Sequence, residues 1–195
     1  MVKFLAALDQ LQSDSCTLSD TVKVWLSLIN DEELQQFKRD IKKRFESAMQ
    51  PFFFLAFLTD HRKFDSDVQL NDTQENDAEE WLESYDHDLF QSFVKFQFRT
   101  HHTDLYPNHL FSKSMKGLHP RAWWTYLQQK ASKRQDDAQT NFCKFMVTLH
   151  SCPSSSASLE RWFSTFGFVW NKTRNRLGHE KAMKLVKIFK SLRTS

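Results

Sequence analysis

Almost nothing in this chain can turn it sharply. Three glycines and four prolines are spread through 195 residues. A sandwich or barrel with many tight connections needs both types in quantity, glycine for positive φ and proline for a fixed φ. The sequence instead offers the spacing of helices. Val22, Trp25, Leu26 and Ile29 recur at i, i+3, i+4, i+7. Leu34, Phe37, Ile41 and Phe45 continue in steps of three and four, as do Leu89, Phe93 and Phe96. Ala122 and Tyr126 share one face, and Phe142, Phe145, Met146 and Leu149 share another. Polar breaks at 65–76 and 103–119, and a Ser-rich link at 151–156, read as loops between these segments. No alternating strand pattern is long enough to count, so the fold class is all-α.

The last two helices read most clearly. Ser154 to Ser156 offer N-cap oxygens after Pro153. Leu159, Trp162, Phe163, Phe166 and Val169 or Trp170 then form one apolar stripe. A basic turn, Asn171 to Arg176, follows. A final helix starts near Gly178, with Ala182, Leu185, Val186 and Phe189 on one face and Lys181, Lys184 and Lys187 on another.

Composition removes several classes. Hydrophobic residues make up 40% and charged residues 26%, ordinary globular values. Gly117, Gly167 and Gly178 are too far apart to form a phosphate-cradling loop. Three cysteines, Cys16, Cys143 and Cys152, are too few and odd in number for a disulfide scaffold, and point to a reducing compartment. The N-terminal stretch has too short an apolar region for a signal peptide. The longest apolar run, Phe52 to Leu58, is far below the ~18 residues a membrane span requires. A soluble, intracellular protein with no membrane partner is expected.

The net charge of +3 conceals an asymmetry. Between Asp60 and Asp88 stand eleven carboxylates against two cations, Arg62 and Lys63. From Arg161 to Ser195 stand nine cations against one carboxylate, Glu180. The basic end suits a polyanion or an acidic protein surface, or forms a solvated face paired with the acidic middle.

Individual chemical motifs are thin. Cys143, His150 and Cys152 have the wrong spacing for a structural zinc site, so no metal site is assigned. His101 and His102 are sequence neighbours and do not share a helix face. No nucleophile elbow exists among the serines. Trp123 and Trp124 beside Arg121 could stack on bases, but such a pair more commonly packs in a core. Glu160 stands in the first turns of a helix, where the macrodipole keeps a carboxylate ionised. It is an ordinary helix-start acid or a metal ligand.

The run from Leu149 through Pro153 and the serines to Leu159-Glu160-Arg161-Trp162-Phe163-Ser164, followed by Arg174-Asn175-Arg176-Leu177, resembles the C-terminal block of the hAT superfamily of DNA transposases. That block is known as the family's dimerisation region. Phe45-Glu46, Pro51 to Ala56 and Ala78 to Leu82 are similar to the helical segment that such transposases carry upstream, so the resemblance covers about residues 20 to 190. It implies an enzyme that cuts DNA with an RNase H-like core, two Asp and one Glu holding two divalent metals. Glu160 is the counterpart of that Glu. The two Asp belong on upstream strands, and no strand block here carries them.

The resemblance therefore implies an irregular helical bundle. It is equivalent to the end of the helical insertion plus the last helices of the RNase H-like core, without the β-sheet. Residues 1–20 are a lead-in, 21–118 a helical region with an acidic loop, and 119–193 the dimerisation region. The expected function is non-catalytic dimerisation through Leu159, Trp162, Phe163, Phe166, Leu185 and Phe189. The partner is a second copy or a related transposase-like chain. No cofactor is expected, magnesium belonging only to a complete transposase, and a nuclear location follows from the family. Two alternatives stand: nucleic-acid binding through Arg161, Lys172, Arg174 and Arg176, and a transposase fragment that supplies Glu160 as the third catalytic acid.

Overall fold

The structure, a computed structural model, describes residues 2–154 apart from Asp14, Asp65 and Thr103. Eight α-helices are present among the described residues: α1 (Val2–Leu11), α2 (Leu18–Asn30), α3 (Lys38–Ala48), α4 (Pro51–Leu58), α5 (Asp72–Tyr85), α6 (His87–Gln97), α7 (Pro120–Lys133) and α8 (Asp137–Leu149). Short 3-10 turns fill Glu32–Phe37, Arg99–His101, Asn108–Phe111 and Lys113–Gly117. The only β pairing among the described residues is an isolated antiparallel bridge between Thr17 and Pro153. The all-α expectation therefore holds for this part of the chain.

The helices begin where side chains can satisfy their free N–H groups. Thr17 caps α2 in a capping box, its hydroxyl accepting from the Asp20 N–H while the Asp20 carboxylate accepts from the Thr17 N–H. Asn71 and Gln74 form the same device at α5. Asp86 caps α6 and Asp136 caps α8. Pro51 and Pro120 open α4 and α7, where a missing N–H costs nothing. At the end of α7, Gln135 takes a left-handed conformation (φ 57°), so the chain reverses into α8 without a glycine.

α4 is apolar all round, which suits a helix surrounded by others. It packs against α2 and α5 and touches α8. Leu55 and Ala56 are fully buried there, beside Leu82 of α5 and Phe93 and Phe96 of α6. α7 lies along α8 and closes the core with Trp123, Trp124 and Leu127. A second, smaller cluster joins Ala7 of α1, Val24 and Leu28 of α2, Leu34, and Ile41 of α3.

Several local expectations change. Residues 2–11, inside the lead-in of 1–20, are helical and pack on α2. The stretch 65–76, read as loop, contains the start of α5, because the Asn71 capping box initiates a helix ahead of any apolar period. The stretch 103–119, read as a loop, holds two 3-10 turns, and it buries Tyr106 ahead of them and Leu110 within the first. The face Ala122–Tyr126 of α7 points outward, because Trp123, Trp124, Leu127 and Ala131 offer more apolar area on the other side.

Candidate functional site

The segment Thr59-Asp60-His61-Arg62-Lys63 follows α4 and carries a polar cluster in an otherwise apolar centre. Asp60 is fully buried and accepts from Arg62 in a fork: Nε at 3.0 and 3.1 Å, and Nη2 at 2.7 Å. The Arg62 backbone N–H adds a further bond at 3.0 Å. The same Nη2 reaches both Asp20 oxygens at 3.0 and 3.1 Å, and Lys63 Nζ reaches Asp20 Oδ1 at 3.0 Å. Burial alone would raise the pKa of Asp60, but the Arg62 hydrogen bonds and charge outweigh it, and the carboxyl is held below its ordinary range. Burial acts the same way on Asp20, and Lys63, Arg62 and Thr17 bring it down to about 2.

Two histidines adjoin this network. The Thr59 hydroxyl donates to the Leu55 carbonyl at 2.8 Å. Its 3.1 Å contact with His150 must therefore run from Nε2–H to the hydroxyl, which fixes the tautomer. His61 Nε2–H donates to the Met115 carbonyl at 2.9 Å, and its ring stacks on Trp123 at 4.9 Å. In both rings Nδ1 is buried and has no hydrogen-bond partner, as is also true of Ser19 Oγ. Burial drives both imidazole pKa values down, that of His150 to about 4, so both are neutral at pH 7.

The last described helices are tied to this centre. Trp124 Nε1–H donates to the Thr59 carbonyl and Trp123 Nε1–H to the Leu110 carbonyl, each at 3.1 Å. Both indoles are fully buried, so neither can stack on a base. Gln139 Nε2–H donates to Tyr106 Oη at 2.7 Å and contacts Cys143 Sγ at 3.5 Å. Burial pushes the Cys143 thiol up to about 12, so it behaves as an apolar side chain.

A two-metal carboxylate site does not fit the described residues. No group of three or more His, Cys, Asp or Glu among them could hold a metal ion. The acids best placed in the interior, Asp20 and Asp60, are already engaged by Arg62 and Lys63. His150 is buried on Thr59, while Cys152 is exposed.

Glu160, the stripe Leu159, Trp162, Phe163, Phe166, Leu185 and Phe189, and the cations Arg161, Lys172, Arg174 and Arg176 all lie outside the described residues. The described chain stops just short of them, at a definite place. Pro153 bridges Thr17, and the Ser154 hydroxyl donates to the Leu11 carbonyl at 3.4 Å, at the C-terminal end of α1.

Two surface features were missed in the sequence. α3 exposes Lys38, Arg39, Lys42, Lys43 and Arg44 around Ile41 and Phe45, which turn inward. This run of cations is as dense as the C-terminal one, and its lysines and arginines could have signalled it. Beside it lies an open, mostly apolar groove of about 480 Å³ between α1 and α3.

Fold and site together define an all-helical protein whose last described helices close its core, and whose chain then continues from the end of α1. Residues 109–192 match the family model of the hAT family C-terminal dimerisation region. The match begins at His109, ten residues before the boundary expected at 119, and so takes in the 3-10 turn that carries Leu110. No curated protein and no solved structure matches the chain. No described helix is long and apolar enough to cross a membrane.

Proposed function

We propose that this chain is a non-catalytic dimerisation module derived from the C-terminal half of a hAT-family transposase. It pairs with a second copy or a related transposase-like chain, works without a cofactor and resides in the nucleus. The observation that carries this reading is the match of residues 109–192 to the family's dimerisation region. The non-catalytic part rests on Asp20 and Asp60, whose charge is spent on Arg62 and Lys63 rather than held free for a metal. Light scattering on a sizing column tests the pairing. A dimer at tens of micromolar is the expected result, and a strict monomer overturns it.

A second reading, nucleic-acid binding, is favoured by the basic face of α3 together with Arg161, Lys172, Arg174 and Arg176. Contacts with about four phosphates would give a log–log salt slope of about −3.6. Fluorescence anisotropy with a labelled duplex reads that slope directly. No binding at 50 mM salt removes this reading.

A further inference from the structure

The groove between α1 and α3 has a floor of Phe4, Leu34 and Ile41, and a rim that includes Leu5 and Phe37. Leu5 is 58% exposed and Phe37 49%, among the most exposed large apolar side chains of the described residues. Leu8, on the same helix as Leu5, is 41% exposed. Scattered apolar exposure is ordinary, but two such residues facing each other across one apolar groove, with a third on the same helix, are not. The rim also carries one charge of each sign, Asp40 and Arg44.

We propose that this groove receives Leu159, Trp162, Phe163 and Phe166 of a second copy of this chain. The inference rests on the dimerisation reading above and names the surface that accepts the pairing residues. Three observations select the occupant. The segment belongs to the matched dimerisation region, and its large side chains recur at steps of three and four, a stripe as apolar as the groove. Its neighbours Glu160 and Arg161 complement Arg44 and Asp40 at the rim, whereas the last stretch, with Lys181, Lys184 and Lys187, would meet the cations of α3. The segment also leaves the described fold at Ser154, held to Leu11 of α1. Leu5 lies six residues up that helix, about 9 Å along its axis. The acceptor groove thus lies along the helix at whose end the chain leaves the described fold for residues 155–195. A two-fold axis near the end of α1 satisfies both contacts at once, as a closed dimer requires.

Two measurements test it. Leu5→Glu/Phe37→Glu places charges in the groove at exposed positions and leaves the core unchanged. It should weaken the dimer by about thirtyfold or more. A variant as dimeric as the parent overturns the groove assignment and leaves the dimerisation reading standing, whereas a monomeric parent removes both. In a Cys152→Ser background, a chain with Phe37→Cys is mixed with a chain carrying Trp162→Cys. An interchain disulfide that appears only in the mixture supports docking between copies. No interchain disulfide overturns the proposal. So does a disulfide formed within a single dilute chain that carries both substitutions, because the stripe then fills its own groove.

Discussion

Replacing Arg62 with methionine isolates the buried ion pair with little change in side-chain length. The substitution removes all three guanidinium contacts from Asp60 and leaves that carboxylate, at 0% exposure, with only the Arg62 backbone N–H. Asp20 is less affected, because Lys63 and Thr17 remain on it. Stranding one member of a buried pair costs about 3–5 kcal/mol. A second route gives a similar figure. If the stranded acid takes up a proton at pH 7 instead of near 4, the penalty is about three pH units at 1.36 kcal/mol each, or about 4 kcal/mol. The mechanism has a signature in pH. The parent holds Asp60 below its ordinary pKa, so its contribution is full above about pH 4 and fades as pH falls through the folded value. In the variant the stranded acid is protonated in the folded state, a penalty that falls away as pH drops toward the unfolded value near 4, so the difference between the two should shrink from pH 7 toward pH 4. Adding Asp60→Asn to Arg62→Met removes the stranded charge and should recover part of the loss. Urea unfolding followed by the fluorescence of buried Trp123 and Trp124 measures all three proteins. A loss under about 1 kcal/mol at pH 7, or a difference that stays flat with pH, refutes the argument.

Two further outcomes follow from the same centre. His150 has its pKa depressed by burial to about 4, so the unfolded chain binds its proton first. The folded state should lose about 3 kcal/mol as pH falls from about 6.5 to 4. His150→Gln, which keeps a donor for Thr59, should flatten that part of the pH–stability curve; an unchanged slope refutes the assignment. A fragment of residues 109–195 should show little fixed tertiary structure, because Trp124 donates to Thr59, His61 donates to Met115, and Phe96 stands against Trp123 and Trp124 from outside the fragment. Near-UV circular dichroism reads this, and a native-like aromatic spectrum from the fragment counts against it.

The parts legible in the sequence were those written at short range. The steps of three and four in α2, α6 and α8 survive in the structure, with Val22, Phe93 and Met146 fully buried. Where the reading failed, two local signals competed. In α7 both faces hold apolar residues, and the indoles at 123 and 124 outweigh Ala122 and Tyr126. At α5 the polar run after Asn71 has no apolar period, and only the capping box announces the helix. The buried centre was not legible at all. Asp60 stood among eleven acids as one more solvated charge, yet it is fully buried. Its environment comes from Asp20 forty residues earlier and His150 ninety residues later, and no local spacing encodes such meetings.

This centre also bears on how a dimerisation region can work in this chain. The matched residues begin at His109, but nothing in the described fold divides there. Leu110, Trp123, Trp124 and Met146 share one core with Leu55, Leu82 and Phe93, and the Thr59–His150 bond joins the two parts through buried polar atoms. A surface that pairs with another chain must be held in shape before it meets its partner, since ordering it on contact would cost affinity. Here the upstream helices supply that rigidity, and α1 adds a floor beside which the chain leaves for residues 155–195. The proposed pairing surface would therefore be a property of the whole helical body, with the matched region contributing its last layer.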